Sequence, residues 1–126
     1  MSEGEGRGRV LVVDDDPMAR RGLQKLLALE GFSTEVAEDG PSALRLVAEG
    51  EFDVVVTDLK MPNMGGAELI QRLRVDAPDI PVIVVTVFGT GLTKARDAGA
   101  AAFLLKPVDL DELTASIESV MQRGRG

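Results

Sequence analysis

The sequence predicts an α/β domain, a doubly wound parallel sheet of five strands with helices on both faces. Three observations predict it. The chain has 126 residues, 44% hydrophobic and 28% charged, which suits one globular domain with a single core. Four short apolar runs, three of them rich in valine, are continuous rather than alternating, as expected of strands buried on both faces. Amphipathic stretches separate these runs, and the strand–helix order repeats five times.

The first strand is Val10-Leu11-Val12-Val13, which ends at Asp14. Asp16-Pro17 then reads as an N-cap followed by proline at the first helical position, opening a helix over 17–30 that carries Met18, Leu23, Leu26 and Leu27. Gly31 is placed to end it in the left-handed conformation. Ser33-Thr34-Glu35-Val36-Ala37 is a more polar strand and belongs at a sheet edge. A helix over 41–49 follows with Ala43, Leu44 and Val47 on one side.

The third strand, Asp53-Val54-Val55-Val56-Thr57, ends at Asp58. Gly65-Gly66 turns the chain into a helix over 65–75 with Leu69, Ile70 and Leu73 inward. The fourth strand, Pro81-Val82-Ile83-Val84-Val85, ends at Thr86. Between Gly89 and Gly99 only Leu92, Ala95 and Ala98 are periodic, and Gly91 weakens the stretch, so a short or irregular fourth helix is expected. Ala102-Phe103-Leu104-Leu105 ends at Lys106. Asp109 with Glu112 resembles a capping box, and Val108 with Leu113 a hydrophobic staple, for a last helix over 110–122. Residues 1–8 and 123–126 read as flexible tails around a domain over 9–122, the second being equally a linker start.

Composition excludes several chemistries. The chain has no cysteine and no histidine, which removes disulfides, thiol nucleophiles, Ser-His triads and Cys/His zinc sites. A net charge of −7 repels phosphate backbones, so direct nucleic-acid binding is not expected. The first residues contain no apolar stretch that would serve as a signal peptide, and no run is long enough to span a membrane. The expected location is the cytoplasm.

In such sheets ligands sit beyond the carboxyl ends of the strands. Four of the five strands end in Asp14-Asp15, Asp58, Thr86 and Lys106, which the predicted winding brings to one rim. Three carboxylates brought close repel one another unless a proton or cation relieves them. An all-oxygen set suits Mg²⁺. Such a cation neutralises charge on a phosphoryl group, a lysine pairs with another of its oxygens, and a carboxylate can attack phosphorus. The residues therefore describe a phosphoryl-accepting aspartate pocket.

The stretches Val12-Val13-Asp14-Asp15-Asp16-Pro17, Asp53 to Pro62, Val84-Val85-Thr86 and Leu105-Lys106-Pro107 resemble those of a response-regulator receiver domain of two-component signalling. The similarity covers nearly the whole chain. It implies the flavodoxin-like strand order 2-1-3-4-5 of the chemotaxis regulators. It implies that Asp58 is phosphorylated by a sensor histidine kinase or a phosphotransfer protein. By the same resemblance Asp14, Asp15, Asp58 and the backbone carbonyl of Lys60 hold Mg²⁺, or Mn²⁺ in its place. Lys106 contacts the phosphoryl group, Thr86 moves toward it, and Phe103 either follows inward or packs in the core. The Lys106-Pro107 peptide is often cis in the family. Lys60 and Phe88, each two positions after a site residue, are placed to tune hydrolysis.

Functionally, the resemblance implies a phosphorelay switch rather than a turnover enzyme, with an output partner or domain it does not identify and a phosphorylation-dependent dimer among its options. No membrane partner is expected. A Mg²⁺-dependent phosphohydrolase would need a second aspartate where Lys60 stands. A pseudo-receiver, acting as an interaction module without phosphorylation, is the remaining alternative. Only 20 positions separate Thr86 from Lys106, slightly fewer than is usual in the family. The shortfall falls on the fourth helix, part of the face through which the family commonly signals.

Overall fold

The computed structural model describes residues 7–61, 63–87 and 91–125, with backbone alone for the last two. Ten elements alternate: β1 (Arg9–Val13), α1 (Pro17–Leu29), β2 (Ser33–Ala37), α2 (Gly40–Glu49), β3 (Val54–Thr57), α3 (Gly66–Asp76), β4 (Val82–Thr86), α4 (Gly91–Ala98), β5 (Ala102–Leu105) and α5 (Leu110–Arg125). The strands form one parallel sheet in the order β2-β1-β3-β4-β5. Register aligns Val13 with Thr57 and Ala37, and Thr86 with Leu105, so the strands finish along one rim.

The valine runs fall where their continuity places them. β1, β3 and β4 occupy the middle of the sheet, and Val10 to Val13, Val54 to Val56 and Val82 to Val85 are buried. The more polar β2 lies at one edge and β5 at the other. Alternate side chains of each strand enter two cores. One contains Val10, Val12, Val54, Val56 and Ile83 with Leu27 of α1 and Leu113, Ile117 and Val120 of α5. The other contains Leu11, Val13, Val55 and Val84 with Ala43 and Val47 of α2, Leu69, Ile70 and Leu73 of α3, and Ala95 and Ala98 of α4. The sheet is thus sandwiched between a two-helix layer and a three-helix layer.

Helix ends follow their caps. The Asp16 side chain accepts from the Met18 N–H, with Pro17 in the first turn. Asp39 accepts from the Ser42 N–H to start α2. Asp109 Oδ1 accepts from the N–H of Asp111 at 2.8 Å and of Glu112 at 3.4 Å to start α5. Gly31 adopts φ 97° just beyond α1, as its placement predicts. Spanning eight residues, α4 is the shortest of the five described helices.

Two expectations need correction. Met18 and Leu26 do not line the inner stripe of α1; they are 83% and 45% exposed. The buried stripe instead runs through Leu27 and the partly buried Leu23 and Arg20, which a 3.6-residue period aligns. Residues 7 and 8 make contacts with the domain. Arg7 donates to the Glu30 carbonyl at 2.8 Å, and the Gly8 carbonyl accepts from Ser33 N–H. At the other end α5 continues to Arg125, past residue 122 where the apolar periodicity stops. Among the described residues no helix is long and apolar enough to cross a membrane.

Candidate functional site

The site is built on the carboxyl rim of the sheet. Asp14 follows β1 directly, and its N–H donates to the Ala37 carbonyl at 3.2 Å. Asp58 follows β3, and its N–H donates to the Val13 carbonyl at 3.1 Å. Lys106 follows β5, and its N–H donates to the Thr86 carbonyl at 2.8 Å. Ladder bonds therefore continue one residue beyond the strands and fix where these three side chains start.

The side chains converge. Lys106 Nζ donates to Asp58 Oδ2 at 2.9 Å and to Asp14 Oδ2 at 3.4 Å. Asp58 Oδ1 accepts from the Leu59 N–H at 2.7 Å, which fixes the carboxylate's orientation. Asp14 Oδ1 accepts from the Asp16 N–H at 2.9 Å. Asp15 is exposed, and its carboxylate comes within 4.8 Å of those of Asp14 and Asp58. Asp14 is buried and Asp58 partly so, hence water screens this concentration of negative charge weakly.

Lys106 answers part of that charge. Burial alone would lower its pKa, but the hydrogen bond and charge of Asp58, then those of Asp14, outweigh burial and hold the ammonium above its ordinary range. Lys106 pairs with two of the three carboxylates, so the cluster has room in its charge balance for a further cation. Its donors are all oxygen and partly open to solvent, the set that suits Mg²⁺ with retained waters.

The remaining predicted residues are placed as follows. Thr86 is buried at the end of β4, between the Asp58 and Lys106 strands. Phe103 is partly buried and packs against the core under α2, α3 and α4, adjacent to Val84 in register. The Lys60 side chain is exposed. Phe88 lies outside the described residues. The Lys106-Pro107 peptide is cis, as the resemblance implies.

Sequence reasoning missed three contributors. Arg20 reaches back from α1 to donate to the Asp14 carbonyl at 2.8 Å; a basic residue on the Leu23–Leu27 stripe was the available signal. The Thr57 hydroxyl donates to the Asp58 carbonyl at 2.9 Å. Gly66 packs so closely on Asp58 that a Cβ there would lie 2.5 Å from the Asp58 carbonyl oxygen. Beside the site, an apolar cleft of about 310 Å³ runs from Asp58 and Lys106 between Ala19, Gly22 and Leu23 of α1 and Val108.

Comparison with known proteins places this geometry. The response regulator receiver domain family model matches residues 10–118. The response regulator MprA of Mycobacterium sp. strain KMS is 39% identical over 117 residues, covering 91% of this chain and 51% of the relative. The chain thus spans about half the length of the curated relatives it matches. A CheY-like receiver domain protein from Methanospirillum hungatei superposes with a TM-score of 0.88 at 28% identity, covering 93% of this chain and 95% of that one. The response regulator TrrA of Thermotoga maritima, solved in complex with Mg²⁺ and BeF, gives 0.82 at 30% identity, covering 89% and 97%.

Proposed function

The chain belongs to the response regulator receiver domain family of two-component signalling, and from that premise we propose that it is a phosphorylation-dependent switch whose acceptor is Asp58. The observation that carries this reading is the Lys106 ammonium held between Asp58 and Asp14 beside a third carboxylate. The proposed donor is a phosphohistidine on a sensor kinase or phosphotransfer protein. The apolar cleft between α1 and Val108, which opens at Asp58, supports the approach of a protein donor. The cytoplasm is the proposed location.

The transfer is a displacement at phosphorus. A carboxylate oxygen of Asp58 forms the new P–O bond as the P–N bond to the donor imidazole breaks, and that bond's electron pair stays with the imidazole nitrogen. The Leu59 N–H holds Oδ1, which orients the carboxylate for attack. Lys106 exchanges its contact with Asp58 Oδ2 for a phosphoryl oxygen. The Thr86 hydroxyl donates to another. Asp14, Asp15, Asp58 and the Lys60 carbonyl would hold Mg²⁺, which neutralises phosphoryl charge when bound. The structural neighbour complexed with Mg²⁺ and BeF supports that assignment.

The output follows from the same contacts. Movement of Thr86 toward the phosphoryl group would vacate space at the end of β4, and Phe103, on the neighbouring strand opposite Val84, is the side chain we assign to fill it. The protein acts on no substrate beyond its own Asp58, which makes it a switch and not a turnover enzyme. Intact-protein mass spectrometry after incubation with a small-molecule phosphodonor tests the reading, with and without Mg²⁺, for wild type and Asp58→Ala. One phosphoryl group gained only with both Mg²⁺ and Asp58 is expected. No gain under any condition overturns the switch and leaves an interaction module that works without phosphorylation.

A further inference from the structure

The loop from β3 to α3 carries Lys60, whose carbonyl the proposed function assigns to the cation, and the present inference rests on that assignment. The loop is held from two sides. Its ends are tied together by the Gly66 N–H, which donates to the Leu59 carbonyl at 2.8 Å. Asn63 within it adopts φ 73°, a conformation asparagine tolerates better than most residues.

The opposite side rests on the start of α2. Asp39, the cap of that helix, accepts from the Ser42 N–H at 2.8 Å. Met64 is buried directly over Gly40, the first residue of α2. A Cβ at Gly40 would lie 2.5 Å from Met64 Sδ and 2.8 Å from both its Cβ and its Cγ. Rotation of the side chain would relieve the sulfur contact. It would not relieve the Cβ contact, because that atom is bonded to the main chain. Any side chain at Gly40 therefore forces the start of α2 and the loop backbone at Met64 apart.

We propose that Gly40 is a positioning residue for the cation site, acting through Met64 on the loop that bears the Lys60 carbonyl. The absence of a Cβ at Gly40 lets α2 press the loop into one register, and that register sets the backbone ligand. The carboxylates of Asp14, Asp15 and Asp58 supply the charge, whereas this contact supplies the geometry of the remaining oxygen.

Mg²⁺ titration calorimetry on wild type, Gly40→Ala, Met64→Gly and the double variant tests this, with thermal unfolding in EDTA as the control for folding. Gly40→Ala is expected to weaken Mg²⁺ binding about 10-fold or more while remaining folded in EDTA. In the Met64→Gly background the Cβ clash is gone, and adding Gly40→Ala is expected to leave affinity unchanged. Equal affinity of wild type and Gly40→Ala overturns the proposal, as does a further loss in the double variant. A wild type that binds no Mg²⁺ overturns the cation assignment itself, which distinguishes the two failures.

Discussion

Lys106 Nζ lies 2.9 Å from Asp58 Oδ2 and 3.4 Å from Asp14 Oδ2, so a single ammonium joins carboxylates delivered by two different strands. β5 lies at the edge of the sheet and is separated from β3 by β4. The long reach of lysine closes that gap, and the Lys106 N–H bond to the Thr86 carbonyl anchors its base. The ammonium sits where an added cation or phosphoryl group would compete with it or recruit it.

Competition gives the first prediction. Lys106→Met removes a positive charge adjacent to two of the three carboxylates, and Coulomb repulsion with an incoming dication disappears with it. Mg²⁺ binding is expected to tighten severalfold by calorimetric titration, while phosphorylation of Asp58 slows because the phosphoryl oxygen loses its partner. Weaker Mg²⁺ binding in the variant would mean that Lys106 organises the carboxylates rather than competing for them.

The same pair sets a pH dependence. The Lys106 pKa is raised above its ordinary value of 10.5, Asp58 and Asp14 prevailing over burial. The folded protein holds this proton more tightly than the unfolded chain, so the contribution to stability is full below 10.5 and is lost as pH rises through the higher folded value. Urea midpoints of wild type and Lys106→Met in EDTA should therefore differ by a constant amount near neutrality and converge only in strong base. A gap that closes already near neutral pH would contradict the pairing.

Much of this rim was legible in the sequence, for a physical reason. Buried parallel strands announce themselves as unbroken valine runs, and an aspartate or lysine directly after such a run has only the carboxyl rim to occupy. Asp14 and Asp58 are of this kind, Thr86 is the last residue of such a run, and Lys106 follows the apolar run of β5. What stayed hidden depends on contacts between distant segments. The turn of α1 that points Arg20 at Asp14, and leaves Met18 and Leu26 exposed, is set by packing against the sheet rather than by helical period alone. Gly66 reads only as a turn into its helix and Gly40 gives no signal in the sequence; the approach of Asp58 and Met64 shows why a larger residue would not fit at either. Arg7 reads as part of a tail because its partners, Glu30 and Glu118, lie far along the chain.

Gly66 gives the third prediction. A Cβ there would meet the Asp58 carbonyl oxygen at 2.5 Å and the Leu59 Cα at 2.9 Å, both backbone atoms that cannot rotate away. Gly66→Ala is expected to move Asp58 relative to Lys106, at a cost of about 1–3 kcal/mol in stability. Mass spectrometry should show phosphorylation slowed by about 10² or more, the scale expected when a reacting group shifts by an ångström. Wild-type rates in a folded Gly66→Ala protein would show that α3 yields instead of the acceptor.

The last prediction concerns the opposite end of the sheet. The Arg7 guanidinium lies 4.7 Å above the Phe32 ring, donates to the Glu30 carbonyl at 2.8 Å and pairs with the carboxylates of Glu30 and Glu118. One side chain thus connects the end of α1, the start of β2 and the middle of α5. The carboxylates are partly exposed, so each ion pair contributes little and is screened by salt. The contact with the ring is sheltered better, because Phe32 is 1% exposed. Arg7→Ala is therefore expected to cost about 1 kcal/mol in urea denaturation, most of it retained at high salt. Arg7→Lys should recover less than half, since a compact ammonium does not stack flat on the ring as a guanidinium does. A loss that vanishes in high salt would assign the effect to the ion pairs with Glu30 and Glu118 and not to the ring.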